Sequence, residues 1–210
     1  APRAPVDQGT AAGDVSIEGM TCSETPAAAR KTEGMMTTER TWLFDDLSNP
    51  LALDAGSHSD GWYTPAWLVD KARAVLGGID TDPASCEAAQ SVVRAATWYT
   101  KAQDGLQQPW RGRLWLNPPY SAPTPWVRRA ITEYRAGNVT AALILTNSYT
   151  ETNWWQELAS EGVMLFFRGR LQFWHPEKTS DKNRTGQTLC YLGSDVETFR
   201  QVFAPHGAIR

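Results

Sequence analysis

An α/β fold around a largely parallel sheet is predicted by three observations. Strand-like and helix-like patterns alternate from Trp62 to the end of the chain. The run "VTAALILTN", residues 139–147, is apolar throughout, as befits a central strand covered on both faces. Thr-Pro pairs at 64–65 and 124–125 open two amphipathic stretches, and Gly77 and Gly137 close them.

Residues 1–40 are rich in Ala, Pro, Thr, Gly and Glu with no periodic apolar pattern, which predicts a flexible leader. Residues 41–210 are read as one domain, with Trp42, Leu43 and Phe44 as an anchor onto it. "TPAWLVDKARAVLG" predicts a helix with Thr64 as N-cap and Pro65 in the first position. Trp67, Leu68, Ala72 and Val75 recur at helical spacing along its core face. A short strand ending at "IDTDP" follows, then a helix over 84–96 and a turn at "AQDGLQQPW". Residues 112–116 read as a buried strand, 124–136 as a helix and 139–147 as the central strand. "TNWWQELASEG" predicts a helix whose Trp154-Trp155 pair packs in the core, and "VMLFFRGRLQFW" predicts one or two strands. "GQTLCYLG" reads as a further strand and "VETFRQVFAPHG" as the closing helix.

Composition narrows the chemistry. No run of eighteen apolar residues exists, so no membrane span is expected. Cys22, Cys86 and Cys190 are far apart and odd in number, fitting reduced thiols in a cytoplasmic protein rather than a zinc site. His175 lacks a partner at metal-ligand spacing and reads as a turn residue, so no metal is expected. Charge is graded: residues 1–60 hold four basic against ten acidic side chains, whereas residues 163–210 hold seven against four. A nucleic-acid partner would therefore meet the C-terminal part.

The stretch "LWLNPPYS", residues 114–121, carries the chemistry. Two prolines cannot donate to a ladder, so they end the strand at once. Ligands of open α/β sheets gather at carboxyl ends of strands, where Asn117 to Tyr120 must sit. An amide-like or aniline-like nitrogen is a poor nucleophile because its lone pair is delocalised. The Asn117 side-chain oxygen and the Pro118 carbonyl can accept its two N–H bonds and aim the lone pair at an incoming methyl group. Pro119 stiffens the turn, and Tyr120 offers a flat face to a planar substrate.

"NPPY" after a hydrophobic strand resembles the corresponding motif of the amino-methyltransferases, and "WYTPAWLVDKA" is similar to the segment preceding the cofactor site in adenine-N6 methyltransferases. The run from "TPAWLVDKA" through "DTDPAS", "TWYTKAQDGLQQPWRGRLWLNPPYS" and "LILTNSYTETNWWQ" to "FFRGRLQF" resembles the phage-type (Dam-like) DNA N6-adenine methyltransferase family over about residues 62–207. The resemblance implies a class I S-adenosylmethionine-dependent (Rossmann-like) fold, cytoplasmic location in a bacterial host, a phage or prophage origin, and double-stranded DNA as substrate. A monomer is favoured. By position, Asn117, Pro118 and Tyr120 would hold and stack a flipped adenine. Thr64 and Pro65 would lie near the amino-acid end of the cofactor, Asp82 near its ammonium and Asp104 at its adenine amino group, with Tyr63, Pro83 and Asn117 as further cofactor contacts.

Two departures from the family pattern stand out. "DPASCEAAQ" has no glycine where methyltransferases carry a Gly-rich loop, and the interval from Asp82 to Asn117 is short for two strand-helix units. Either the sheet has lost an element, or "IDTDP" is the second strand and binds the ribose hydroxyls. Asp80 and Asp82 are both cofactor candidates on this reading. The recognition loop expected in such enzymes maps to 175–186, where Lys178, Lys182 and Arg184 would touch phosphates, with Arg168 and Arg170 as further DNA contacts. The alternatives are transfer to another amide-like nitrogen (protein glutamine, cytosine N4 or an RNA base) and a catalytically silent binding module.

Overall fold

In a computed structural model of the chain, the residues described are 61–176 and 185–210. The leader and anchor expected before residue 61, and Lys178, Lys182 and Arg184, lie outside them.

Seven strands among the described residues form one sheet, with β1 at Thr81–Asp82, β2 at Thr97–Trp98, β3 at Gly112–Leu116, β4 at Val139–Asn147, β5 at Val163–Phe167, β6 at Gln187–Leu192 and β7 at Gly207–Ile209. Their spatial order is β2-β1-β3-β4-β6-β5-β7. The pairs β1–β2, β1–β3 and β3–β4 are parallel, while β6 is antiparallel to both β4 and β5, and β7 is antiparallel to β5. Five strands therefore run one way and two the other, a mixed α/β sheet that is mostly parallel.

Among the described residues five helices cover it: α1 at Ala66–Leu76, α2 at Glu87–Val93, α3 at Thr124–Arg135, α4 at Asn153–Glu161 and α5 at Val196–Phe203. Side-chain alternation along the strands sorts the core into two layers. Trp115, Leu143, Leu145, Leu189 and Tyr191 face α1 and α5, which contribute Leu68, Ala72, Phe199 and Phe203. Leu114, Leu116, Ala142, Ile144 and Cys190 face α3 and α4, which contribute Val127, Ile131, Trp154 and Leu158. The central strands are thus buried on both faces, as their unbroken apolar runs require.

Several boundaries differ from expectation for local reasons. Helix α1 is capped by Pro65 in an extended conformation, and the Thr64 side chain makes no cap bond. Its backbone carbonyl instead accepts the Trp174 indole N–H at 3.0 Å. Leu68, Ala72 and Val75 are buried as predicted, but Trp67 faces outward. Helix α2 is shorter than 84–96: Cys86 caps it by accepting the Ala89 N–H, and Arg94 stops it in a left-handed conformation at φ 49°. Only one strand emerges from "VMLFFRGRLQFW", because Gly169 turns the chain at φ 86° and only Trp174 then bridges to Tyr63.

The order also settles where "IDTDP" belongs. From β1 the chain goes to β2 on one side and then crosses to β3 on the other, which makes β1 the strand where the sheet reverses direction of growth. One strand-helix unit, not two, separates β1 from β3. Because β1 is so short, side chains fix its register. Asp80 accepts from the Arg113 backbone N–H at 2.8 Å and from its guanidinium at 2.8 and 2.7 Å. The Thr81 hydroxyl donates to the Arg111 carbonyl at 2.8 Å. The guanidinium holds the Asp80 carboxyl below the usual carboxylate range. Both side chains of this pair are about a third exposed, so its contribution is modest. Replacing Asp80 by Asn is expected to cost about 1–2 kcal/mol, read as a fall of roughly 2–6 °C in thermal unfolding followed by circular dichroism.

Candidate active site

A cleft of about 620 Å³ opens at the carboxyl ends of β1 and β3. This is where the chain departs from β1 in one direction and returns to its other side, the position at which open α/β sheets bind ligands. Of the residues expected to act, Tyr63, Thr64, Asp82, Pro83, Asp104, Asn117, Pro118 and Tyr120 line it together. Pro65 and Asp80 do not; Pro65 caps α1, and the Asp80 carboxylate is engaged by Arg113.

The Asn-Pro-Pro-Tyr turn follows directly on β3. The Asn117 side-chain oxygen and the Tyr120 hydroxyl are both buried without a hydrogen-bond partner, and among the described residues only one other side-chain atom, Gln187 Oε1, shares that state. A buried acceptor left unpaired costs on the order of 1–3 kcal/mol. Both atoms belong to one tetrapeptide whose residues line the cleft, and two unpaired buried polar atoms so close in sequence call for an explanation that the fold itself does not supply. Burial pushes the Tyr120 hydroxyl well above its ordinary pKa, so it stays neutral. Its ring packs edge-on to Phe173 at 6.1 Å, and Phe173 forms the neighbouring wall.

Opposite, Asp82 ends β1 and is 2% exposed. Gln90 from α2 donates to its carboxylate at 2.8 Å and also to Ser85. Burial pushes the Asp82 carboxyl up to about 7, against the opposing hydrogen bonds from Ser85, the Ala84 backbone and Gln90. Burial of the carboxyl disfavours the anion, so a cation placed beside it would be held strongly.

The third wall is the segment 100–108. Asp104 adopts φ 49°, a conformation that Asp tolerates better than most residues, and its carboxylate accepts the Leu106 N–H at 3.2 Å. Arg129 of α3 pins this segment by donating to the Leu106 and Gln108 carbonyls, while its guanidinium lies 4.7 Å over the Trp110 ring. The Trp110 indole donates to the Gly105 carbonyl at 2.8 Å. A Cβ at Gly105 would run into the Pro83 carbonyl oxygen, so only glycine lets this segment close over the end of β1.

Sequence reasoning missed Ser85, Thr100, Lys101, Trp126 and Phe173 as lining, and Gln90 as the residue orienting Asp82. Thr100 and Lys101 belong to a 3₁₀ turn with no periodic signal. Gln90 had a readable position, eight residues after Asp82 on a helix that starts just beyond the strand. The DNA-contact candidates Arg168 and Arg170 are exposed on the segment after β5, outside the cleft lining. No group of three or more side chains able to hold a metal occurs among the described residues, nor any helix long and apolar enough to cross a membrane.

The sequence matches the family described as DNA N-6-adenine-methyltransferase (Dam) over residues 54–203. It is 30% identical to a DNA N-6-adenine-methyltransferase of Haemophilus phage HP1 (strain HP1c1) over 159 residues, which cover 73% of this chain and 86% of the relative.

Two outcomes follow from the cleft. With its pKa raised from 3.8 to about 7, folded Asp82 holds a proton that the unfolded chain has lost. Its contribution to stability is therefore full below pH 4 and declines as pH rises to 7, then stays constant. Asp82→Asn removes this dependence, so its melting temperature relative to wild type should rise between pH 5 and pH 8, by the equivalent of about 2–4 kcal/mol. Gly105→Ala should lower the urea midpoint by the equivalent of about 2–4 kcal/mol, since backbone must move to admit the methyl group.

Proposed function

We propose that this chain, which belongs to the DNA N-6-adenine-methyltransferase family and methylates adenine N6 in DNA, takes its methyl group from S-adenosylmethionine and acts on double-stranded DNA. The sheet order, with the cleft at the reversal beside β1, supports a class I, Rossmann-like methyltransferase fold. The residues present suit that cofactor. The cleft has the volume of a small-molecule site, about 300–1,000 Å³, with a buried carboxylate at one end and Asp104 on a separate wall. Asp82 would receive the ammonium of the amino-acid part, Asp104 the adenine amino group, and Tyr63, Thr64 and Pro83 the surface between. S-adenosylmethionine, when bound, supplies an electrophilic methyl group on a sulfonium.

The observation that carries the reading is the unpartnered Asn117 oxygen. With adenine flipped out of the duplex, Asn117 Oδ1 and the Pro118 carbonyl accept the two N6–H bonds. The nitrogen lone pair is withdrawn from the ring and aimed into the cleft. The Pro118 and Pro119 rings present no N–H to compete for those acceptors. Tyr120 lays its neutral ring against the base. Methylation leaves N6 cationic, and one of its protons departs to solvent. Arg168 and Arg170, exposed after β5 and outside the cleft lining, would take phosphates and contribute position rather than sequence choice.

The test is transfer of labelled methyl from S-adenosylmethionine to duplex DNA, with cofactor affinity measured separately by calorimetry. Wild type should yield labelled N6-methyladenine. Asn117→Ala should lose roughly 10²–10³ in kcat with cofactor affinity within about threefold. Asp82→Asn should weaken the cofactor at least tenfold, as expected for a desolvated charge pair, whereas Asp80→Asn should leave it unchanged. Cofactor binding without label on DNA would overturn the reading.

A further inference from the structure

The carboxyl edge of the sheet continues well past the cleft. Strand β5 runs in the direction of β4, since each is antiparallel to β6, so Phe167 ends on the same edge as Asn117 and Asn147. Strand β7 starts back from this edge, with Gly207 opposite Phe167. In the first turn of α1, Trp67 reaches the same place. Its indole stacks on His206 with centroids 4.9 Å apart and an interplanar angle of 23°, and it meets Phe167 edge-on at 6.5 Å. At 40% exposure it is the one large hydrophobic side chain left open to solvent among the described residues.

Cations flank this platform. Arg168 is exposed and its backbone N–H donates to the His206 carbonyl at 2.8 Å. Lys71 lies one helical turn beyond Trp67; burial, and to a smaller extent the Lys71 charge, lower the His206 pKa from its ordinary value. Arg170 reaches toward the end of β4 and the start of β6: a Cβ on Gly186 would lie 2.8 Å from its guanidinium and 3.4 Å from the Ser148 hydroxyl. The nearest acid on α1, Asp70, is neutralised by Arg73 at 2.8 Å. The edge from β4 to β7 thus carries Arg168 and Arg170, with Glu151 exposed on the loop after β4 and Lys71 on α1, and ends in an exposed aromatic ring.

From β3 to β5 is three strand steps and to β7 four, about 14–19 Å at roughly 4.8 Å per step. Along B-DNA, at about 3.4 Å per base pair, that is four to six base pairs. We propose that Trp67, backed by His206 and flanked by Arg168, is a second DNA contact: its indole packs on a deoxyribose of the backbone four to six base pairs from the methylated adenine. Arg170 and Arg168 meet the phosphates between. The contact is blind to sequence and fixes the register and tilt of the duplex over the cleft. It rests on the reading of the cleft given above, and it acts on DNA affinity rather than on the chemical step.

The experiment compares full-length wild type, Trp67→Ala and Trp67→Phe on duplexes cut from a fragment that wild type methylates. One duplex extends ten base pairs to both sides of the adenine; two others stop three base pairs away on one side. On the long duplex, Trp67→Ala should raise KM for DNA about 5- to 20-fold, as expected for loss of apolar burial on the sugar, with kcat and S-adenosylmethionine affinity unchanged, and Trp67→Phe should recover most of the loss. One of the shortened duplexes should cost wild type the same factor and cost Trp67→Ala nothing further. Equal KM for wild type and Trp67→Ala on the long duplex would overturn the proposal. So would an equal loss on all three duplexes, or a change of oligomeric state in Trp67→Ala, which would make the patch an interface between copies. If wild type transfers no methyl group, the cleft reading fails. In that case binding of wild type and Trp67→Ala to a duplex of arbitrary sequence decides this proposal, because the contact is blind to sequence: weaker binding by Trp67→Ala supports it and equal binding overturns it.

Discussion

The geometry of the cleft depends on the lateral pairing of β1 with β3. Two residues of β1 cannot define a register through ladder bonds alone, so the Asp80–Arg113 fork and the Thr81–Arg111 bond define it with side chains. Once Thr81 stands opposite Leu114, Asp82 and Asn117 must emerge from the sheet on neighbouring strands at the same edge. Slippage by one residue would turn Asp82 to the other face. Gly78 and Gly112 leave room for this fork, since a Cβ at either would crowd Arg113 or Asp80. An acidic residue two positions before a cleft residue is thus structural, and the pair Asp80 and Asp82 divides into a positioner and a lining residue.

Around that frame the local rules of stability are broken together in one place. Asp82 is a carboxylate buried without a cation, Asn117 and Tyr120 hold unpaired polar atoms, and Asp104 occupies a left-handed conformation. Elsewhere the described polar groups are mostly satisfied, as in the buried Thr146–Thr188–Trp155 chain between β4, β6 and α4. Concentrated violations of this kind are what a preorganised binding site looks like before its ligand arrives. The surrounding core, apolar on both faces of β3, β4 and β6, supplies the stability that such a site consumes.

How much of this could be read from the sequence follows from element length and from reach. Strands β3, β4 and β6, and helices α3 and α4, carry enough apolar residues to declare themselves. The "NPPY" turn was legible because a strand cannot run through it. Strands β2 and β7 were not, because two or three residues cannot show a period, and both exist only through pairing with distant partners. The segment 100–108 is built of 3₁₀ turns held by Arg129 from a helix more than twenty residues on, a contact no local pattern encodes. Trp67 illustrates the limit of periodicity. Its spacing matches the core face of α1, yet the indole lies at the margin, where the stack on His206 from the chain end competes for it.

The missing glycines after β1 have a counterpart elsewhere. Close packing at the end of a first strand requires that some backbone lack a side chain, and here Gly105, twenty-two positions beyond Pro83, provides the gap. The demand belongs to a point in space, not to a position in a motif. Any side chain at 105 would therefore push the far wall of the cleft away from the end of β1 and widen it.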